Sequence, residues 1–129
     1  EVHLIRNQTY NILSIADVAL VSSGTATLET AIFKVPQVVC YKGNGISYFI
    51  AKRLVDLKYI SLVNLIAGKE VVKELIQNEF TPENIRIELD ILSKNKHTII
   101  SNYENLQLKL GSHGASMRAA SQVIQLLNG

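Results

Sequence analysis

The sequence predicts an α/β fold, in which a parallel sheet is flanked by helices and followed by several further helices. Short apolar runs rich in β-branched residues alternate with helical stretches over the first half of the 129 residues, which is the pattern of βαβ units. Residues 18–21 are continuously apolar, as is typical of a parallel strand covered on both faces. The second half shows helical patterning almost throughout.

The first half is predicted to contain four strands and three helices. Strands are expected at residues 2–5, 17–21, 37–41 and 59–62, and helices at residues 7–16, 26–34 and 46–57. Within the second of these helices, Leu28, Ala31 and Ile32 recur at helical spacing. Glycine and small polar residues at 22–25 and 43–45 indicate turns between a strand and the next helix.

The second half is predicted to be helical, with helices at residues 71–78, 81–93, 96–110 and 116–127. The clearest start signal is Thr81-Pro82-Glu83, which combines an N-cap threonine, a proline at the first helical position and an acid in the first turn. The sequence contains no internal repeat or linker, so residues 1–129 are predicted to form a single domain.

Composition excludes several classes of protein. Hydrophobic residues make up 47% of the chain and charged residues 19%, which is enough apolar material for a core and argues against disorder. No apolar run approaches the ~20 residues that cross a bilayer, and the N-terminus lacks the pattern of a signal peptide. The net charge is only +2 and the basic residues are scattered, so nucleic acid is not an expected partner. The chain does not begin with Met, which suggests a fragment or a processed chain.

Cysteine and histidine give no sign of a metal or redox site. The single cysteine, Cys40, lies in an apolar run and is expected to be buried and reduced, as in a cytoplasmic protein. His3, His97 and His113 have no ligand-like spacing, so no metal is expected. The sequence also lacks a GxGxxG fingerprint, a P-loop, a Ser/His/Asp arrangement and an Asp-x-Asp motif, and no cofactor is predicted.

The turn after the predicted strand 17–21 is the first candidate site. It consists of small residues, Ser23, Gly24, Thr25, Ala26 and Thr27. In open α/β sheets ligands bind at the carboxyl ends of strands, and the helix that follows presents unpaired N–H groups at the positive end of its dipole. The turn therefore predicts a phosphate or diphosphate site, with an ordinary capped turn as the alternative.

Glu29 lies on the helix that follows this turn. A capping box would place the acid three residues after a serine or threonine N-cap, but the residue three positions before Glu29 is Ala26. A carboxylate more than one turn into the helix can instead reach over the helix start toward the paired hydroxyls of a ribose. The alternative is an exposed glutamate on the side of the helix.

Further polar residues follow later predicted elements. Lys42, at the end of a predicted strand, is either a phosphate contact or a solvated lysine. Asn64 stands among apolar residues after another predicted strand, where it either satisfies its amide internally or reads the edge of a base. Glu74 and Gln77 lie three residues apart on one face of a predicted helix, and each taken alone is typical of a protein surface.

Several segments form an ordered set that extends over almost the whole chain. They are SGTATLE at 23–29, VPQVV at 35–39, YK at 41–42, AKRLV at 51–55, YISL at 59–62, NLIAG at 64–68 and ELIQ at 74–77, with a further stretch at 110–120. This set resembles the C-terminal half of the lipid-A-disaccharide synthase family. One departure is Val63, where the family commonly has proline before the Asn-Leu pair.

The resemblance implies a fold and an activity. The family's enzyme has two Rossmann-like halves of the GT-B type, and this chain is similar to most of the second half. In lipid A biosynthesis the family transfers 2,3-diacylglucosamine from its UDP donor to 2,3-diacylglucosamine 1-phosphate and releases UDP. The resemblance therefore implies a cytoplasmic location at the inner face of the bacterial inner membrane, and it leaves open whether this chain contacts the membrane surface.

The resemblance also implies roles for individual residues. The turn from Ser23 to Thr27 is expected to meet the diphosphate and Glu29 to bind the ribose. Asn64, Glu74 and Gln77 are expected to lie around the nucleotide and the donor sugar. The general base is expected in the missing N-terminal half, so no catalytic residue is assigned, and the chain alone should bind UDP without useful turnover. The alternatives are the C-terminal half of another UDP-sugar GT-B enzyme and a non-catalytic α/β interaction module.

Overall fold

The computed structural model describes residues 1–22, 24–42 and 58–111. In chain order the helices and strands of this part of the chain are α1 (Thr9–Leu13), β1 (Ala19–Val21), α2 (Gly24–Ile32), β2 (Gln37–Tyr41), α3 (Leu62–Ala67), β3 (Lys73–Ile76), α4 (Pro82–Lys94) and α5 (Lys96–Leu110). A 3₁₀ turn, Gln77–Glu79, follows β3. The turn predicted at 43–45 and the helices predicted at 46–57 and 116–127 lie outside the described residues.

The three strands form one parallel sheet in the order β1-β2-β3. Leu20 pairs with Val38 and Val39 pairs with Glu74, so β2 is the central strand. Four of its five residues are buried, as a strand with neighbours on both sides and helices packed against it requires. The sheet and its flanking helices confirm the predicted α/β fold.

The helices pack on the sheet and on one another. α2 contacts β1 and β2, α4 contacts β2 and β3, and both α3 and α5 contact α2. The core that these elements enclose is mainly aliphatic and consists of Ala31, Val38, Val39, Cys40, Val63, Val72, Leu75, Leu92, Ile99, Tyr103 and Leu106. Each fully buried large apolar side chain contributes about 1.5–3 kcal/mol, so this core is the main source of stability.

A polar pair lies inside the core. Gln37 and Tyr103 are both fully buried. Gln37 Nε2 donates to the carbonyl oxygen of Thr27 at 2.9 Å and lies 3.5 Å from the Tyr103 hydroxyl oxygen. Burial raises the pKa of Tyr103 to about 12, against the smaller opposing effect of the hydrogen bond from Gln37. Through these contacts the pair connects α5 to β2 and α2.

α4 and α5 match their predictions closely. Thr81 is the N-cap of α4, its hydroxyl accepting from the backbone N–H of Asn84 at 3.2 Å, and Pro82 takes the first helical position. In the last turn Lys94 pairs with Asp90 at 2.7 Å, where a cation complements the helix dipole. Among the described residues, no helix combines the length and the apolar character needed to cross a membrane.

The predictions for the N-terminus are partly wrong. Residues 2–5 form no strand, and Val2 and Leu4 are 97% and 81% exposed. A strand needs a neighbour to pair with and an apolar face to cover, and this segment has neither in the described structure. α1 is shorter than the helix predicted at 7–16 at both ends, and its later start follows the left-handed φ of 57° at Asn7.

Two predictions between β2 and α4 are also wrong. The strand expected at 59–62 is the entry to α3, with Ser61 as N-cap accepting from the Asn64 backbone N–H at 3.3 Å. The helix expected at 71–78 is β3 followed by the 3₁₀ turn. The apolar run at 71–78 is too short for its periodicity to distinguish a helix from a strand. Residues 73–76 form a strand because they pair with β2.

Candidate functional site at the carboxyl edge of the sheet

The three strands end at one edge of the sheet, because parallel strands share a direction. Ser22 follows β1, Lys42 follows β2 and Gln77 follows β3, and all three residues are exposed. Gln77 has a φ of 51°, a left-handed conformation that residues other than glycine rarely adopt. Ligands of open α/β sheets bind in the crevice at this edge, so these residues frame the candidate site.

α2 starts at this edge with Gly24, two residues earlier than predicted. Gly24 is half-buried and Thr25 is exposed, whereas Ser23 lies outside the described residues. A Cβ built on Gly24 would lie 4.0 Å from Cγ of Leu62 on α3, which is an ordinary van der Waals distance. Packing against the described residues therefore does not require glycine here, and the start of α2 carries the positive end of the helix dipole.

The threonine hydroxyls further along α2 are engaged within the helix itself. Thr27 Oγ1 donates to the carbonyl oxygen of Gly24 at 2.5 Å, and Thr30 Oγ1 donates to that of Ala26 at 2.7 Å. Both threonines are buried. Of the predicted turn residues that the structure describes, Thr25 is the exposed one.

Glu29 of α2 lines an open cleft next to α1. Its Oε1 accepts from the Tyr10 hydroxyl at 3.1 Å, and this bond and the charge of Glu29 raise the pKa of Tyr10. Tyr10 also stacks on Phe33, with ring centroids 5.4 Å apart. The cleft has a volume of about 350 Å³ and is lined by Asn7, Gln8, Thr9, Tyr10, Asn11 and Glu29.

Sequence reasoning missed the α1 side of this cleft. The only signal was the polar run from Asn7 to Asn11, which reads as part of a helix with no particular role. In the structure the run wraps beside Glu29 and presents amide and hydroxyl side chains next to a carboxylate. A concave site with several donors and acceptors suits a polar ligand that is itself rich in both.

Asn64 lies on α3 and is fully buried, not at the end of a strand as predicted. Its Oδ1 accepts from the backbone N–H groups of Val71 and Val72 at 2.7 and 3.0 Å. Its Nδ2 donates to the carbonyl oxygen of Val72 and to Glu74 Oε1, both at 2.8 Å. The structure therefore joins Asn64 directly to Glu74.

Glu74 lies on β3, so the predicted helix face shared with Gln77 does not exist. The Glu74 carboxylate is buried and accepts from the backbone N–H groups of Ile60 and Ser61, both at 2.9 Å. Gln77 is exposed at the sheet edge, beyond the end of β3. Glu74 is thus held inside the protein, while Gln77 is accessible to a ligand.

The chemistry that the described residues offer at this edge is binding. No three His, Cys, Asp or Glu side chains are grouped as metal ligands in the described part of the chain. Burial raises the pKa of the Cys40 thiol, which disfavours the reactive thiolate. The described residues offer the start of α2, which favours anions, and further along the same helix the Glu29 carboxylate beside a polar cleft.

Comparison with known proteins decides the family. The family model described as lipid-A-disaccharide synthetase matches residues 1–126, almost the entire chain. The chain belongs to the lipid-A-disaccharide synthetase family. The resemblance read from the ordered sequence segments is therefore confirmed.

Individual members of the lipid-A-disaccharide synthetase family are similar to this chain over a third of their own length. The lipid-A-disaccharide synthase of Syntrophus aciditrophicus is 44% identical over 129 residues, which cover 98% of this chain and 34% of that protein. The synthase of Psychromonas ingrahamii is 47% identical over 94% of this chain and 32% of its own. The synthase of Haemophilus influenzae strain PittEE is 41% identical over 100% of this chain and 35% of its own.

Proposed function

We propose that this chain forms the nucleotide-sugar site of a lipid-A-disaccharide synthase and makes up most of the C-terminal half of a GT-B enzyme. The whole enzyme would transfer 2,3-diacylglucosamine from UDP-2,3-diacylglucosamine to 2,3-diacylglucosamine 1-phosphate and release UDP. Family membership supports the enzyme class, and the parallel sheet with flanking helices supports a Rossmann-like half. The observation that carries the proposal is the Glu29 carboxylate, which lines an open polar cleft on the helix that starts at the ligand edge of the sheet.

In this proposal each part of UDP meets a different group. The diphosphate lies against the segment from Ser23 to Thr27 near the start of α2, where the helix dipole favours negative charge. The ribose hydroxyls donate to Glu29, and the uracil lies in the cleft beside the amides of the α1 segment. Gln77 contacts the donor sugar. Asn64 and Glu74 contribute indirectly, because their side chains hydrogen-bond the backbone on either side of α3.

The same groups would support the transfer step. Departure of UDP builds negative charge on the diphosphate, and fixed N–H dipoles at a helix start stabilise that charge as it develops. The general base that deprotonates the acceptor hydroxyl would come from the other half of the enzyme, together with most acceptor contacts. The chain alone is therefore expected to bind UDP without useful turnover.

We place this reaction at the cytoplasmic face of the bacterial inner membrane. Both proposed substrates carry two acyl chains, which reside in a membrane while the sugar and phosphate groups face water. The donor would present its UDP group to this chain, and the acceptor would enter through the other half.

An NMR titration of the isotopically labelled chain tests the proposal. UDP is expected to shift the backbone resonances of residues 24–29 and 7–11 selectively, whereas ADP at the same concentrations is not. The same samples are expected to show no transferase activity. Equal responses to UDP and ADP would argue against a uridine-nucleotide site, and activity of the chain alone would contradict the division of labour between two halves.

Glu29→Ala is the sharpest single substitution at this site. Loss of a hydrogen bond to a charged acceptor is expected to weaken UDP binding by about 1–3 kcal/mol, which is roughly a 5- to 150-fold increase in Kd. Tyr10→Phe is the matched control, because it removes the same Tyr10–Glu29 hydrogen bond but keeps the carboxylate. Because Tyr10 itself lines the cleft, Tyr10→Phe should weaken UDP binding less than Glu29→Ala does. Equal UDP affinity in Glu29→Ala and the unchanged chain would rule out the ribose contact.

A further inference from the structure

Asn64 and Glu74 form a buried hydrogen-bonded pair between α3 and β3, behind the proposed nucleotide site. We propose that both are positioning residues: they hold the first turn of α3 beside the first turn of α2 and do not contact the nucleotide. This inference rests on the proposed nucleotide site at α2. It assigns the two residues a role different from the direct contact that the family resemblance implies.

The amide of Asn64 has no hydrogen-bonding capacity left for a ligand. A side-chain amide offers two donors and two acceptor lone pairs. Its Oδ1 accepts two backbone N–H groups at 2.7 and 3.0 Å, and its Nδ2 donates to Val72 and Glu74 at 2.8 Å each. Turning any of these groups toward a base would leave a buried polar group unpaired, which offsets the bond gained.

The Glu74 carboxylate ties a distant stretch of chain to the sheet. It accepts from the backbone N–H groups of Ile60 and Ser61 at 2.9 Å, across 14 and 13 residues of sequence. Hydrogen bonds to a charged acceptor are stronger than those between neutral groups. Because Glu74 belongs to β3, these bonds fix the point at which the chain enters α3.

That entry point adjoins the proposed phosphate-binding turn. Ser61 is the N-cap of α3, and the next residue, Leu62, has its Cγ 4.0 Å from the place that a Cβ on Gly24 would occupy. α2 and α3 also pack against each other. A displacement of Ser61 would therefore move Leu62 against the first turn of α2 and the N–H groups proposed to hold the diphosphate.

Glu74→Gln tests this inference, with Glu79→Gln as the matched control. Glu74→Gln keeps the shape of the side chain but turns one acceptor into an NH₂ group that faces N–H donors, whereas Glu79 is exposed. We expect Glu74→Gln to speed hydrogen exchange of the Ile60 and Ser61 amides by roughly tenfold or more, to shift the Gly24 amide resonance, and to weaken UDP binding roughly 5- to 150-fold. Glu79→Gln should change none of these.

Two further readouts separate positioning from ligand contact and from a merely structural role. In the unchanged chain, UDP should leave the Asn64 side-chain amide protons in slow exchange and without a nuclear Overhauser contact to UDP. Such a contact would overturn the inference. If Glu74 has only a structural role, Glu74→Gln should lower the unfolding temperature but leave the Gly24 resonance and the UDP Kd of the folded protein unchanged. That result would also overturn the inference.

The outcome for the proposed function can be read separately. If the unchanged chain binds no UDP, the proposed function fails, whereas the coupling from Glu74 to α2 is still decided by the Gly24 resonance in Glu74→Gln. An unchanged resonance there overturns the inference. If Glu74→Gln does not fold, Glu74→Asp keeps the charge on a shorter side chain and should produce the same shifts at smaller size; their absence counts against the inference in the same way.

Discussion

At the scale of single residues, Gln77 joins a left-handed backbone conformation to an exposed side chain. That conformation costs a residue with a Cβ roughly 1–2 kcal/mol, whereas glycine adopts it freely. Gln77→Gly is therefore expected to keep or raise the free energy of unfolding, by up to about 1 kcal/mol, since the strain relieved exceeds the added unfolded-state entropy. The same substitution should weaken binding of UDP-2,3-diacylglucosamine, because it removes the proposed sugar contact.

Thermal unfolding and calorimetric titration would measure the two effects. Asn78→Gly, at the next residue of the same 3₁₀ turn, is the matched control: its backbone is not left-handed, so glycine brings no relief there. It should lower stability slightly and leave donor binding unchanged. A less stable Gln77→Gly protein with normal donor binding would contradict both parts of the prediction.

A residue's environment could be predicted from the sequence where a local motif determines it, but not where its partners are distant in the sequence. Glu29 stands out in the sequence because its position does not fit a capping box, and it lines the cleft. The amide of Asn64 is satisfied by groups 7 to 10 residues away, which no local pattern identifies. Sequence reasoning therefore left open whether Asn64 is satisfied internally, and the structure shows that it is.

At the scale of elements, the start of α2 allows a test of close ligand approach. The space around Gly24 accepts a Cβ among the described residues, so Gly24→Ala should change the free energy of unfolding by no more than about 1 kcal/mol, and Gly24→Val adds two methyl groups to the same position. Both side chains would stand where the proposed diphosphate meets the backbone. UDP binding should fall moderately in Gly24→Ala and below detection in Gly24→Val.

Isothermal titration with UDP and thermal unfolding of the same preparations would measure these effects. The graded pair controls for a local change in helix propensity, because alanine raises helix propensity above that of glycine more than valine does, whereas valine is the larger obstacle to the diphosphate. Normal UDP binding by a folded Gly24→Val protein would show that the segment is an ordinary strand-to-helix turn.

The elements that sequence reasoning assigned correctly carry strong local signals. α4 is fixed by a threonine N-cap and a proline at its first position, both visible in the sequence. β3 has no such signal: its four residues are too few to show a period, and it becomes a strand because β2 offers it a neighbour. The wrong helix at 71–78 also put Glu74 on the wrong kind of element, so its contacts with Ile60 and Ser61 could not be foreseen.

At the scale of the whole molecule, the fold class was the most predictable property. Alternating apolar runs and helical stretches leave few arrangements other than a parallel sheet with helices packed against it. The path of the chain between elements was less predictable, because the spatial order of strands depends on pairings between residues far apart, such as Val38 with Lys73. The prediction of a site at the edge where the strands end stays a prediction, and the cleft beside α1 was not foreseen.

The buried phenol of Tyr103 makes the whole fold sensitive to alkali. Its pKa is about 12 in the folded protein against an ordinary value of 10.0, so between these values the unfolded chain releases a proton that the folded chain retains. Stability is therefore unaffected below about pH 10 and falls as the pH rises toward 12. Denaturant titrations followed by circular dichroism should show a steeper fall over this range in the unchanged chain than in Tyr103→Phe, which keeps the ring without an ionisable hydroxyl. Parallel plots of the free energy of unfolding against pH for the two proteins would contradict this account. If the plots diverge, ionisation of Tyr103 would report on unfolding of the core at alkaline pH.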